Sequence, residues 1–210
     1  MTKIAQSKYK RSRRVLESIH GRPKDAVYKK KYGPGQHASA AVKHSDYGKH
    51  LIEKQKIKFH YGRITEKQFK NYFKKAKQQK GNTAQNMAHI LESRLDMAVY
   101  RAGYAPTIFA ARQLVSHKHI LVNDKVINIA SYLLKVGDTV SIKSSSRNMS
   151  IVEDAIKNRT NVDYYKLENS DNITDKTKRL DTTYIKCPDI QEIPYPFTPE
   201  FNQVVELYSK

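Results

Sequence analysis

The sequence holds one cysteine, Cys187, in 210 residues. A lone thiol closes no disulfide within the chain and supplies no cysteine set for zinc, and it is consistent with a reducing compartment. No run of about 18 apolar residues occurs, so no segment reads as a transmembrane helix. Walker, GxSxG and HExxH patterns are missing, which removes the commonest signatures of nucleotide, serine-hydrolase and zinc-protease sites. Internal repeats are missing as well. The eight histidines are scattered. Only His117 and His119 stand two apart, a spacing that puts both on one face of a strand, and without a third ligand RNA contact or a surface role is the better reading than a metal pair. Acid is scarcest at the start of the chain: no Asp or Glu precedes Glu17.

What replaces acid is base. The net charge is +19 and the pI about 9.8, a balance that suits a polyanionic partner, either nucleic acid or an anionic membrane surface. Residues 1–80 hold 23 Lys and Arg against 5 Asp and Glu; residues 81–150 carry a net +4 and residues 151–210 a net −3. The partner's backbone is therefore expected against the stretch that ends at Lys80. Hydrophobic content of 39% leaves enough apolar material for one or two cores.

Residues 1–45 show little periodicity and read as a basic extension that orders on its partner. Lys8 to Arg14 is a basic run, and Tyr9, Tyr28 and Tyr32 are interleaved with bases, a mixture suited to stacking and phosphate contact. Tyr47 to Tyr61 reads as a helix with Leu51, Ile57 and Tyr61 inward and Lys49, Lys54, Lys56 and Lys58 around them. In the next helix Thr65 and Gln68 make a capping box, Phe69, Tyr72, Phe73 and Ala76 form the apolar face, and Lys67, Lys70, Lys74, Lys75, Lys77 and Lys80 cover the rest. Six lysines against one glutamate would repel one another if merely solvated, so phosphate is the expected neighbour.

After Gly81 a helix begins at Asn82 or Thr83. Leu91, Leu95, Ala98 and Ala102 then share one helical face up to the stop at Gly103. Thr107 caps a second helix running to about Lys118, with Ile108, Ala110, Ala111, Leu114 and Val115 on one side. Arg112, Gln113, Ser116 and His117 on the other form a row of donors without a carboxylate, with Phe109 among them. Period 2 follows: Ile120 and Val122 alternate with Leu121 and Asn123, a turn falls at Asn123-Asp124-Lys125, Val126 to Ile129 returns, and Thr139 to Ile142 follows a Gly137-Asp138 turn. Ser144 to Ser150 reads as a polar link, Ile151 to Asn158 as a short helix, and Thr160 to Pro199 as loops with short edge strands. Thr198-Pro199-Glu200 signals a last helix whose Phe201, Val204, Val205 and Tyr208 form a packing stripe. That stripe is expected to dock on the Tyr- and Phe-rich stretch Tyr47–Ala76.

The segments RLDMAVYRAG, ARQLVSHKHILVN, INIAS and VGDTVSI resemble the RNA-binding module named after the fourth protein of the small ribosomal subunit. GRP near Arg22, YGPGQH from Tyr32, SDYG from Ser45, EKQK from Glu53, YG at Tyr61, KGNT from Lys80 and the terminal VELYSK extend the resemblance, in order, over nearly the whole chain, most weakly between Thr160 and Ile193. The chain is identified as a member of the ribosomal S-four family, bacterial type. The resemblance implies an α+β fold: a helical N-terminal domain with a basic extension, an inserted α/β module of two helices on a small antiparallel sheet, and a closing C-terminal helix. The expected divisions are 1–45 (extension), 46–93 (helical domain), 94–158 (module) and 159–210 (C-terminal loops and packing helix). KRSRR and GRP fit the family's ordinary mature N-terminus, against a superficial likeness of the acid-free stretch before Glu17 to a mitochondrial presequence.

By resemblance the chain is a non-enzymatic constituent of the small subunit that binds a multi-helix junction of small-subunit ribosomal RNA early in assembly. It touches the neighbouring small-subunit protein number five, with an effect on decoding accuracy, and lies near where messenger RNA enters. No cofactor, metal or membrane is implied. The location is the ribosome, in bacterial cytoplasm or an organelle matrix of bacterial ancestry. Between His37 and Ser45, where many relatives carry several bases, only Lys43 and His44 remain, which weakens the messenger role. The candidate RNA-binding residues are Arg11, Arg13 and Arg14 in the extension, Tyr47, Lys49, Lys54, Lys56 and Lys58 in the first long helix, and Lys70, Lys74 and Lys80 in the second. In the module they are Arg94, oriented by Asp96, with Arg112, Ser116, His117, Lys118 and Asn123. A pseudouridine synthase built on the same module is the rival reading, but no segment is long or apolar enough for its catalytic domain. A free regulator of its own messenger is the third.

Overall fold

The computed structural model describes residues 9–38, 43–158, 162–168 and 181–209. The chain forms two compact units: Met1–Phe69 with Tyr195–Lys210, and Lys70–Pro194. The second is thus inserted in the sequence of the first, and the boundary falls inside a helix. The fold is α+β, as the sequence implies.

In the first unit α1 (Lys10–Val15) is followed by turns, α2 (Asp46–His60) and the start of α3 (Glu66–Gln78); α8 (Phe201–Ser209) returns to it. Ser45 caps α2 by accepting from the Gly48 amide at 3.2 Å. Its apolar stripe buries Ile57, and Tyr61 just beyond it is also fully buried. α8 packs against α2 with Phe201 and Val204 buried, and Tyr208 donates to Glu66 at 2.7 Å. Burying each large apolar side chain of that stripe stabilises by about 1.5–3 kcal/mol. The last helix docks on this region as expected, but with Val204 rather than Val205 fully buried beside Phe201. The helix starts at Phe201, later than the Thr198-Pro199 signal.

The extension is more structured than its composition implies. Ile19 and Val27 are buried, Ser18 donates to Asp25 at 3.0 Å, and Asp25 accepts from the Val27 amide at 3.3 Å. His60 donates from Nδ1 to the Ile19 carbonyl at 2.9 Å. Two apolar residues suffice to pin a loop when a buried carboxylate satisfies its amides. Lys8 lies outside the described residues.

In the second unit α4 (Thr83–Glu92), α5 (Leu95–Arg101) and α6 (Ile108–Ser116) pack with a five-stranded antiparallel sheet of order β2-β1-β3-β5-β4. The strands are β1 (Ile120–Val122), β2 (Lys125–Val126), β3 (Thr139–Ile142), β4 (Tyr165–Glu168) and β5 (Asp181–Tyr184). Asn82 accepts from the Ala84 amide at 2.9 Å to cap α4. The helical face read as continuous from Leu91 to Ala102 is broken at Ser93-Arg94. There the 130–134 strip intervenes: Leu134 N donates to Ser93 O at 2.8 Å and Leu95 N to Tyr132 O at 2.8 Å. Tertiary pairing has overridden helical propensity.

The sheet also departs from expectation. β2 is two residues long, because the pairing stops after Leu121↔Val126. β5 is an interior strand: Val140 faces Thr182 across one side and Tyr165 faces Tyr184 across the other. The sheet therefore takes two of its strands from beyond residue 158. Thr182 can sit fully buried because its hydroxyl bonds that of Tyr104 at 2.7 Å. The core joins Leu95, Ala98, Val99, Ala111, Leu114 and Val115 of the helices to Ile120, Val122, Val140 and Ile142 of the sheet. A short 3-10 turn (Ser144–Ser146) and α7 (Ser150–Lys157) follow β3. Residues 159–161 and 169–180, where loops and edge strands are expected, lie outside the described residues.

Candidate nucleic-acid interface

Burial of one side of α6 decides what its other side presents. Ile108, Ala111, Leu114 and Val115 are buried, and Thr107 caps the helix by accepting from the Ala110 amide at 3.1 Å. Gln113, His117 and Lys118 are consequently exposed and Arg112 and Ser116 half-exposed, as the periodicity predicts. The Ser116 hydroxyl donates to the Arg112 carbonyl at 2.7 Å, so toward a ligand it acts as an acceptor. The chain leaves α6 through Lys118 at φ 64, with the His119 amide donating back to Leu114 O at 3.1 Å. Glycine normally fills such a left-handed cap.

The lysine there is exposed and stands in the chain between His117 and His119, whose rings lie 6.1 Å apart. The His119 ring Nδ1 bonds Ser146 Oγ at 2.7 Å. Lys143, which sequence reasoning missed, donates its amide to His119 O at 2.9 Å and is exposed. The signal for it is the register, since Ile120↔Ile142 makes residues 119 and 143 neighbours. The junction of α6 and the sheet thus gathers Arg112, His117, Lys118, His119 and Lys143. Among the described residues no group of three or more His, Cys, Asp or Glu could hold a metal ion. In the same unit Lys70, Lys74 and Lys80 are exposed, together with Lys75 and Lys77.

Several candidates are not presented to a ligand. Arg94 is 1% exposed: Nε and Nη2 donate to the two Asp96 carboxylate oxygens at 2.9 and 2.5 Å, and Nη1 donates to the Tyr72 hydroxyl at 2.7 Å. Burial lowers its affinity for a proton, but Asp96 and Tyr72 outweigh that and hold the guanidinium charged. Asp96 does orient it, as expected, but into the core. Asn123 also turns to structure. It occupies the two-residue β1–β2 turn at φ 48, beside Asp124 at φ 65, donates from Nδ2 to Asp138 at 2.8 Å and accepts from the Thr139 amide at 2.9 Å.

In the first unit the α2 lysines divide. Lys54 and Lys58 each reach Glu66 at 2.7 Å, and Lys56 reaches Glu53 at 2.7 Å and Glu17 at 3.0 Å; all three have side chains at most 12% exposed. Burial pushes the Glu66 carboxyl up, but hydrogen bonds from Lys54, Lys58 and Tyr208 prevail and bring it down to about 2. These lysines are withdrawn by ion pairing, of which a helical wheel reveals only Glu53 with Lys56, because Glu66 and Glu17 come from other segments. Tyr47 and Lys49 stay exposed. Arg14 is exposed; Arg13 donates to Gly33 O at 2.7 Å with its guanidinium 5.0 Å from the Tyr32 ring centre. The Arg11 guanidinium lies 3.5 Å from the Phe59 ring centre. Burial and the nearby Arg63 charge lower its pKa to about 10, so it remains a cation at neutral pH. Tyr28 and Tyr32 are exposed, Tyr32 beside Arg13.

Residues 3–92 match the family model described as ribosomal protein S4/S9 N-terminal domain, and residues 93–140 that of the S4 domain. Proteins named small ribosomal subunit protein uS4 align along their whole length with the whole of this chain. Those of Rickettsia bellii (strain OSU 85-389) and Orientia tsutsugamushi (strain Boryong) are each 51% identical, and that of Rickettsia canadensis (strain McKiel) is 47% identical. The chain belongs to the uS4 family of small ribosomal subunit proteins. It is a structural, non-enzymatic ribosomal protein with an S4 RNA-binding domain. In a bacterial cell that places it in the cytoplasm, with the ribosome. The α6–sheet junction and its donors lie almost wholly within the segment matched as the S4 domain, with Lys143 just beyond it.

Proposed function

We propose that this chain binds small-subunit ribosomal RNA directly, with the outer side of α6 and its junction with the sheet as the centre of the contact. The observation that carries this reading is that one side of α6 is sealed in the core while the other presents Arg112, Gln113 and Ser116, continued by His117, Lys118 and Lys143. Exposed Lys70, Lys74, Lys75, Lys77 and Lys80 add a second phosphate-facing set. Phosphate contacts supply most of the affinity, and the shape of the folded RNA supplies the register. Arg11, Arg13, Arg14, Tyr47 and Lys49 complete the set in the first unit, while Arg94, Asn123, Lys54, Lys56 and Lys58 act within the fold rather than on the ligand.

The family resemblance supports the remaining parts of the reading: binding early in assembly, contact with the neighbouring small-subunit protein number five, and through it an influence on accuracy. Lys43 and His44 are left to meet incoming messenger RNA, a smaller basic set than many relatives carry. Co-sedimentation with small subunits through a wash at physiological salt tests the reading that this chain is held on the small subunit. Retention in the pellet is expected; quantitative release into the supernatant at salt that leaves subunits intact would contradict it.

A further inference from the structure

The first unit contains a recess of about 650 Å³ between α1 and α2, lined in part by Arg11 and Arg14, whose apolar walls no phosphate contact explains. That volume falls within the range of sites that take small organic groups, ~300–1,000 Å³. Leu51, Ile52 and Phe59 give it apolar walls, and Lys10, Arg11 and Arg14 line it with positive charge; none of the described residues that line it is a carboxylate. The neighbouring acids Glu17 and Glu53 are turned to Lys56.

We propose that this recess takes one unpaired nucleotide of a single-stranded RNA segment, with the base against Leu51, Ile52 and the stacked Arg11–Phe59 pair and the phosphate between Lys10 and Arg14. The proposal rests on the RNA-binding reading above and gives that reading a base-contacting site. Unpaired bases are held on aromatic rings and guanidinium planes, and Arg11, stacked 3.5 Å over Phe59, keeps for a base the guanidinium plane not turned to that ring. A duplex offers phosphates but keeps its bases out of such a recess. A free phosphate would leave the apolar walls wet. An apolar protein segment would bury three cations without neutralising them. Arg11 is already held as a cation against burial and the Arg63 charge, a cost that an anionic ligand relieves.

The test is fluorescence anisotropy of the full chain with a labelled single strand of about six nucleotides, within the span that one binding surface covers. The same strand lacking bases, and the same strand in a duplex, serve as comparisons. The parent protein is expected to bind the intact strand about tenfold or more tighter than the base-free one. Ile52→Trp, which fills the recess, and Phe59→Leu, which keeps an apolar wall without the ring, should both abolish that ratio. Arg14→Ala should weaken intact and base-free strands alike. Circular dichroism confirms that each variant is folded. Equal binding of intact and base-free strands by the parent, or a ratio retained in both recess variants, would overturn the proposal. The same proteins titrated with small-subunit ribosomal RNA separate the two ideas. Retained ribosomal RNA binding without base discrimination sinks the recess alone, whereas loss of ribosomal RNA binding by the parent sinks the reading beneath it.

Discussion

Arg94 and Asp96 form a sealed pair in the second unit, with both carboxylate oxygens accepting from the guanidinium and neither side chain more than 1% exposed. Removing one member strands the other as a buried charge. Arg94→Ala is therefore expected to destabilise the protein by about 3–5 kcal/mol. Any loss of RNA binding should follow the unfolded fraction. Melting curves together with binding measured well below the melting temperature check this. A variant of parental stability with impaired binding would return Arg94 to the surface.

Arg112 and Leu114 lie on opposite sides of α6, two positions apart. Arg112→Ala is expected to weaken RNA binding by about 1–3 kcal/mol with little change in stability. Leu114→Ala should cost about 2–5 kcal/mol of stability, because its side chain belongs to the core. Thermal melts and filter binding on the two variants must rank them in opposite orders.

Lys118 is held at φ 64, a conformation that costs a side-chain-bearing residue about 1–2 kcal/mol. Strain of this kind is retained where the side chain does something the backbone does not need. Lys118→Gly should melt no lower than the parent and yet bind ribosomal RNA more weakly. A variant that melts lower and binds equally well would make the lysine a structural residue.

Glu66 sits at about 2 in the folded protein, against 4.5 for the ordinary group. A depressed carboxylate contributes its stability fully above about pH 4.5 and loses it as the pH falls toward 2. Because Glu66 ties Lys54, Lys58 and Tyr208 together, the parent's advantage in melting temperature over Glu66→Gln should be largest above about pH 5. It should shrink steadily toward pH 2. A pH-independent gap between the two proteins would show that the carboxylate charge plays no part.

What could be read in the sequence follows from how local the determinant is. The two sides of α6 are written within one short helix, and the Asn82 and Thr107 caps in a few residues more, so periodicity finds them. The docking of α8 is legible because its apolar stripe is written within one short helix and the aromatic stretch around Tyr61 offers it an apolar partner. Long-range pairing is not written locally. The break at Ser93-Arg94 exists because residues 130–134 bond there, and β5 is interior because β3 takes its second partner from Asp181–Tyr184, on the far side of α7 in the chain. The same holds for the site. Lys54, Lys56 and Lys58 look like a phosphate-binding row until Glu66 and Glu17 arrive from other segments. Lys143 looks unrelated to α6 until the strand register sets it beside His119.

The central claim, that this chain grips small-subunit ribosomal RNA largely through its phosphates, is tested most directly by a filter-binding titration against that RNA across about 50 to 200 mM salt. With about six or more phosphates neutralised, affinity should fall by about 10³ or more over that range, and Arg112→Ala should lower the slope of log affinity against log salt by about 1. A flat response, with the variant and the parent superimposed, would contradict the account.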